Sequence, residues 1–411
     1  MVKPLHPISE IASRAALEDS RRLHVVRSRN AAGAENARQI DASQATFDAL
    51  ASPLDFPPLS HALVPGDRVA IALDEAVPRA ASVVQGVVTS LRTAGIEDSA
   101  ISVVTRSAET SQLCRDEFAG NGRCDINFVV HDPADESAVC LVGQMRRHGP
   151  LLVNRSIFDA DVVLPVGLAR FDDAGVYDSL FPRFSDNAAI ERFQSPAAIA
   201  SETSQANRER ETDEAGRLIG APLVIEVVPG ANDSVAHVVA GQPDAVADRA
   251  RQLLRDEWQY HTEHRASLVI TTITGGAQAQ NWDNVGRALA AAERLVTDDG
   301  AVAVCSNLNE PLGQSLGRLV GSEDLEATER KLRHDHAHDS WAAWQLARAL
   351  QRGPVYFLSQ LDAETVEEMG MAPVADVKEL ARLASRHEDY IVLEDAQHAL
   401  AIVDDNGRSD E

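Results

Sequence analysis

Residues 267–307, SLVITTITGGAQAQNWDNVGRALAAAERLVTDDGAVAVCSN, constrain the fold of this chain more than any other stretch. An apolar run through Leu268, Val269 and Ile270 stops at the pair Gly275-Gly276. Trp282, Val285, Leu289, Ala292 and Val296 then recur at steps of three and four, which is one face of an amphipathic helix. Asp298-Asp299-Gly300 ends that helix, and 301–304 reads as a second buried strand. Strand, glycine turn, helix, strand is a βαβ unit, and a chain built from such units forms a parallel sheet covered by helices. Ligands of such sheets sit beyond the carboxyl ends of the strands, where Gly275 and Gly276 fall. Without a Cβ, backbone N–H groups there can approach a phosphate or carboxylate; a tight turn with positive φ explains the same glycines equally well.

The first half carries the same alternation. Residues 68–73 (RVAIAL) read as a strand that stops at Asp74. A helix follows whose Val83, Val84, Val87, Val88 and Leu91 face the core, with Gly95 at its end. Strands at 101–105, 127–130 and 161–166 end at Arg106, at His131-Asp132 and at Gly167, with a polar helix near 109–119. Asp74, Arg106, His131 and the loop after Gly167 therefore gather on one sheet edge. Residues 167–193 are irregular and acidic. The run SETSQANRERETDEAGR reads as a solvated, charged helix or linker. Residues 223–228 are a strand with a hairpin partner at 235–240, and a helix spans 244–258.

At 411 residues the chain has room for two domains. We expect an N-terminal arm (1–40), an N-terminal α/β domain (41–262), a C-terminal α/β domain (263–405) and a disordered tail (406–411). The formal net charge of −25 disfavours nucleic acid and anionic membranes as partners. Lys3, Lys331 and Lys378 are the only lysines. The four cysteines show no C-x-x-C pairing, so neither a zinc site nor a disulfide framework is expected. No signal core or apolar run long enough to span a bilayer is present, and a cytoplasmic protein is expected.

The order of these motifs resembles the lactate racemase family, whose members use a nickel-pincer nucleotide. SPLDFPPLSHALVPGDRVAIALDEAVP is similar to that family's lead-in and first strand, which ends in D-x-T-R-P. ISVVTRSAET is similar to its second strand, and VVHDP and VNRSIFDADVVLPVG to the next two. ITGGAQAQNWDNVGRALAAAERLVTDDGAVAVCSN, DSWAAWQLARALQRGPVYFLSQLD and VEEMGMAPVADVKELARLA are similar to the family's second domain. The resemblance implies two Rossmann-like domains with a cleft between them and racemisation or epimerisation of a 2-hydroxy acid. The nickel cofactor would accept a hydride, and histidines would take the hydroxyl proton.

Carried over residue by residue, the family's site is depleted. Asp74 matches the aspartate of D-x-T-R-P, but the arginine position falls on Val77, and Arg79 lies two residues on. The family's first acid–base histidine falls on Arg106 and the second near Asp172. The anchoring lysine has no counterpart between Lys3 and Lys331, and 187–200 holds no histidine for nickel. A further lysine becomes Arg287, which keeps charge but not geometry.

The expected catalytic residues are thus Asp74, Arg106 and Asp172; Asp74 could equally cap a helix, and Arg106 could equally form a surface ion pair. The expected cofactor-binding residues are Gly275, Gly276, Arg287 and His131. No metal site is expected, although Asp172, Asp173 and Asp178, and separately His334, His336 and His338, have suggestive spacing. The expected ligand is a hydroxy acid or related small anion. The nickel-pincer nucleotide, if bound, would be held non-covalently. A non-catalytic metabolite-binding relative, or a different reaction in the same cleft, is the alternative.

Overall fold

The computed structural model describes residues 23–26, 40–119 and 125–404. The expected arm lies outside the described residues except for a short strand, β1 (Leu23–Val26), and Ile40, and the expected tail lies wholly outside them. The chain divides into two compact units. One comprises residues 36–193 and 198–254, the other 1–35, 194–197 and 255–411.

The N-terminal unit is organised by β2 (Val69–Leu73), β3 (Ile101–Thr105), β4 (Asn127–Val130), a hairpin of β5 (Val139–Met145) and β6 (Gly149–Asn154), then β7 (Val162–Leu168), β8 (Val224–Pro229) and β9 (Val235–Gly241). Its six-stranded sheet runs β4-β3-β2-β7-β8-β9, parallel except for β9, which pairs antiparallel with β8. The chain steps outward from β2 to β4 and then returns to the other side of β2 at β7. Strand order therefore reverses between β2 and β7, the place where open α/β sheets bind ligands. Buried Val69, Ile71 and Leu73 of β2 pack with Val83, Val84, Val87 and Leu91 of helix α1 (Ala80–Thr93), as the spacing predicts.

Helix α2 (Glu202–Ile219) departs from expectation. Its mean composition is polar, but Glu211, Thr212, Ala215 and Gly216 are buried. Gly216 lies flat against the Tyr177 ring: a Cβ there would stand 2.4 Å from it. The Tyr177 hydroxyl donates to the Ala221 carbonyl at 2.7 Å, and the Thr212 hydroxyl donates to the Ala174 carbonyl. The helix is thus a cover docked on the loop after β7, because small and polar residues on one face satisfy that loop's backbone.

Helix α3 (Pro243–Trp258) belongs to the first unit up to Leu254 and leads into the second unit, which holds β10 (Gln259–Thr262), β11 (Ala266–Thr272), helix α4 (Trp282–Leu295) and β12 (Val296–Cys305). Helix α5 (Ser340–Arg352), β13 (Val355–Leu358), β14 (Ala372–Pro373), β15 (Tyr390–Leu393) and β16 (Leu400–Val403) follow. The main sheet runs β1-β15-β11-β12-β13-β14 and is wholly parallel. Strand β10 pairs separately with β16. The expected βαβ unit is β11-α4-β12. Val296 does not extend the helix; it has extended backbone and begins a ten-residue strand. Trp282, Val285, Leu289 and Ala292 are buried in one cluster with Trp344 and Phe357. Among the described residues, no helix is long and apolar enough to cross a membrane.

Candidate functional site

The reversal point of the N-terminal sheet holds a buried cluster of charge. Leu73, Val166 and Ile225 form one row across β2, β7 and β8. The next row is Asp74, Gly167 and Glu226, with the Asp74 amide bonded to the Val166 carbonyl at 2.9 Å and Gly167 paired with Glu226. Asp74 is only 1% exposed. One carboxylate oxygen caps the following turn by accepting from the Ala76 amide at 2.9 Å. The other accepts from Arg170 Nη1 at 3.0 Å and lies 3.4 Å from Arg183 Nη2. Burial opposes ionisation of Asp74, but Arg170, Arg183 and the Ala76 amide outweigh it and hold the carboxyl well below the usual range.

The loop after β7 supplies the arginines. Asp173 shapes its start by accepting from the amides of Arg170 (3.2 Å) and Gly175 (3.1 Å), with Gly175 at a φ of 87°. Buried Tyr177, Leu180, Phe181 and Phe184 anchor its far side, and Phe181-Pro182 is a cis peptide. Arg183 also pairs with Asp178 at 3.3 Å and with Glu75 at 3.9 Å. Arg208 of α2 stands 4.0 Å from Asp178, donates to the Asp172 carbonyl at 3.5 Å, and lies over the Phe193 ring at 5.5 Å. Burial, with help from Asp178, raises the Asp173 carboxyl to about 6.

Glu226 is the least expected member. It is 5% exposed, and a Cβ on Gly167 would lie 2.4 Å from its Oε1 and 3.1 Å from the Cβ of Ser179. Gly167 thus makes room for a carboxyl group. Burial first, then Asp173, Asp74 and Asp178, push the Glu226 carboxyl well above its ordinary range, against the pull of Arg170. The site therefore sets two carboxyl groups on either side of a glycine of β7: Asp74, whose pKa the arginines hold down, and Glu226, whose pKa burial pushes up.

The structure brings two of the three expected catalytic residues to this cluster. Asp74 is its centre, and the charge of Asp172 acts on Arg170 and Asp173. Arg106 follows β3, where its charge bears on His131. His131 is 3% exposed. Its Nε2 meets the Ser185 carbonyl at 2.8 Å and its Nδ1 meets the Asn154 amide nitrogen at 3.1 Å. The carbonyl requires a donor and the amide an acceptor, so the ring is the neutral Nε2–H tautomer. Burial lowers its pKa, with Arg106 adding to the effect. Both ring nitrogens are engaged in tying down the end of the site loop.

Sequence reasoning missed Arg170, Arg183, Arg208 and Glu226. Glu226 had a signal, a single acid inside the apolar strand LVIEVV. The arginines did not, because an arginine among acids usually marks a solvated surface.

In the second unit, Gly275 has a φ of 103°, so it serves the tight turn, and Gly276 faces open space. The α4 N-terminus is already met by carboxylate and amide: the Trp282 amide donates to Glu310 at 3.2 Å, and Asn281 caps Asn284 at 2.9 Å. Arg287 Nη1 donates to Asn284 at 3.0 Å. Buried Gln280 donates to the Ile273 and Gly275 carbonyls and accepts from Ser306 and Asn307. Around His334, His336 and His338, the acids do the structural bonding. Asp339 does not cap α5 with its side chain; it accepts from the Ser315 and Leu316 amides at 3.1 and 2.9 Å. Among the described residues, no group of three or more His, Cys, Asp or Glu is arranged to hold a metal ion.

Two parallel-sheet α/β units, the first with its charged cluster at the strand-order reversal, define the class: a two-domain, Rossmann-like protein. Residues 10–176 match the lactate racemase N-terminal domain and 261–405 match the lactate racemase C-terminal domain. The chain belongs to the lactate racemase family. It is 22% identical over 276 residues to the lactate racemase of Thermoanaerobacterium thermosaccharolyticum, covering 62% of this chain and 64% of that protein. The fold matches the apoprotein structure of that organism's lactate racemase with a TM-score of 0.73 at 18% identity, covering 93% of this chain and 96% of that one. A Thermotoga maritima protein matches with a TM-score of 0.63 at 11% identity, covering 90% and 100%.

Proposed function

We propose that this chain is a lactate racemase-like protein that takes a hydroxy acid or a related small polar metabolite at the strand-order reversal of its N-terminal sheet, without a covalently anchored nickel-pincer nucleotide. The observation that carries this reading is the convergence of Asp74, Arg170 and Arg183 at that point. Arginine is the side chain suited to a ligand carboxylate. The residues do not fit the nickel group. The chain has no lysine between Lys3 and Lys331 to anchor it, and no histidine between His148 and His237 to complete nickel coordination. Carboxylates held by arginines are hard, internally neutralised donors, poorly suited to a soft organometallic centre.

The test is nickel content and intact mass of the full chain after co-production with the enzymes that make the cofactor, together with binding of D- and L-hydroxy acids followed by ligand-detected NMR. An unmodified mass, no stoichiometric nickel, and binding of at least one hydroxy acid are expected. A cofactor-sized mass increment, or no binding across the panel, would overturn the reading.

A second reading, binding without turnover, is favoured by the state of Asp74. A carboxylate so firmly held by two arginines is a weak base. Interconversion of enantiomers in a chiral assay would end that reading.

A further inference from the structure

We propose that a cavity in the second unit binds a small organic cation with an apolar body, of the alkylammonium kind. All of its walls lie in the second unit, so it is no part of the charged cluster at Asp74 and stands independently of the hydroxy-acid reading. Its volume is about 520 Å³, within the range of small-molecule sites, roughly 300–1,000 Å³. Four elements wall it: the turn at Leu319, the helix Leu325–Leu332, the end of α5 at Leu350, and the end of the short helix Ala363–Glu368. Leu319 and Met369 belong to the core of the unit, and half-buried Leu325 and Leu350 pack against it. The floor is therefore apolar, with leucine surface left for a ligand to bury. The Gly321 amide donates to the Glu368 carbonyl at 2.9 Å, and the Ser322 and Thr328 hydroxyls meet at 2.8 Å. These bonds tie wall to wall, so the site is preformed.

The charges around the cavity select a cation. Exposed Glu367 and Glu368 line it, and no Lys, Arg or His is among its lining residues. The arginines of the same elements are paired elsewhere: Arg318 with Asp335, Arg330 with Glu326, and Arg348 and Arg352 with Glu293. Two helices end on the cavity, α5 at Gly353 and the helix Ala363–Glu368 at Met369. The carboxyl end of a helix carries partial negative charge. Two carboxylates and two helix ends thus meet at an apolar floor, and the lining supplies no positive charge to balance them. An ammonium head on a short alkyl body complements both.

The experiment follows the Met369 methyl group by NMR in the full chain, labelled at its four methionines, during titration with n-hexylammonium. n-Hexanol and hexanoate serve as neutral and anionic isosteres. In wild type hexylammonium should give a saturable shift of the Met369 signal, which is assigned by its loss in M369L. E367Q/E368Q removes charge at exposed positions and keeps the shape. It should bind hexylammonium about fivefold more weakly, as for two exposed ion pairs, and hexanol as wild type does. L325W, which fills the cavity, should bind neither, with the other methionine signals reporting that the fold is kept. Hexanoate should bind wild type more weakly than hexanol. No saturable shift of the Met369 signal with hexylammonium in wild type would overturn the site. Equal affinity of wild type and E367Q/E368Q for hexylammonium, or hexanoate binding as tightly as hexylammonium, would overturn the choice of a cation and the proposal with it.

Discussion

Arg170 Nη1 donates to Asp74 Oδ2 at 3.0 Å across 96 residues of chain, and both side chains are almost wholly buried. The pair joins the end of β2 to the loop after β7 at the point where the sheet reverses its order. Arg183 reaches the same carboxylate oxygen at 3.4 Å. Removing the aspartate would leave two guanidinium groups without their shared partner. Asp74→Ala should therefore cost about 3–5 kcal/mol of unfolding free energy. Asp74→Asn should cost less, because its amide oxygen still accepts from Arg170. Urea denaturation of the three proteins measures this, and a loss under about 1 kcal/mol for Asp74→Ala would show that the arginines find other partners.

Glu226 makes stability depend on pH. Its folded-state pKa is raised above the ordinary 4.5. Its contribution is fully present below that ordinary value and is lost as pH rises through the raised folded-state value, because the unfolded chain ionises first. Glu226→Gln cannot ionise, so its unfolding free energy should exceed that of wild type increasingly as pH rises above 4.5. Equal pH profiles for the two proteins would show Glu226 to be charged in the fold.

His131 has the complementary dependence. The ring is held neutral between the Ser185 carbonyl and the Asn154 amide, with a pKa lowered from 6.5. Its contribution is present above 6.5 and is lost as pH falls through the lowered folded-state value. His131→Ala should cost about 1–3 kcal/mol at pH 8, with the gap to wild type closing in acid. A gap that widens in acid would mean that the ring is protonated in the fold.

Gly216 tests how α2 is seated. In a solvated helix, glycine to alanine stabilises by about 1 kcal/mol. Here the added Cβ would stand 2.4 Å from the Tyr177 ring. Gly216→Ala should instead destabilise by about 1–3 kcal/mol, the cost of overpacking. A rise in the thermal midpoint would mean that the helix is not docked on the loop.

The alternation of apolar strands and periodic helices determined the two mainly parallel sheets, because a run such as RVAIAL or SLVITT has few alternatives to a buried central strand. The strand ends followed from the same pattern, so Asp74, Arg106 and His131 were legible as edge residues. Their roles were not. The turn at Gly275-Gly276 was equally plain, but the bonding of Glu310 and Gln280 around it was not, since both bond across loops. Tertiary structure alone decided that Arg170 and Arg183 meet Asp74, that α2 docks on the loop after β7, and that Gly167 gives way to Glu226. Charge in a sequence carries no sign of burial. Whether an acid is a solvated surface group, half of an ion pair or a neutral donor is fixed by what the rest of the chain brings within a few ångströms of it.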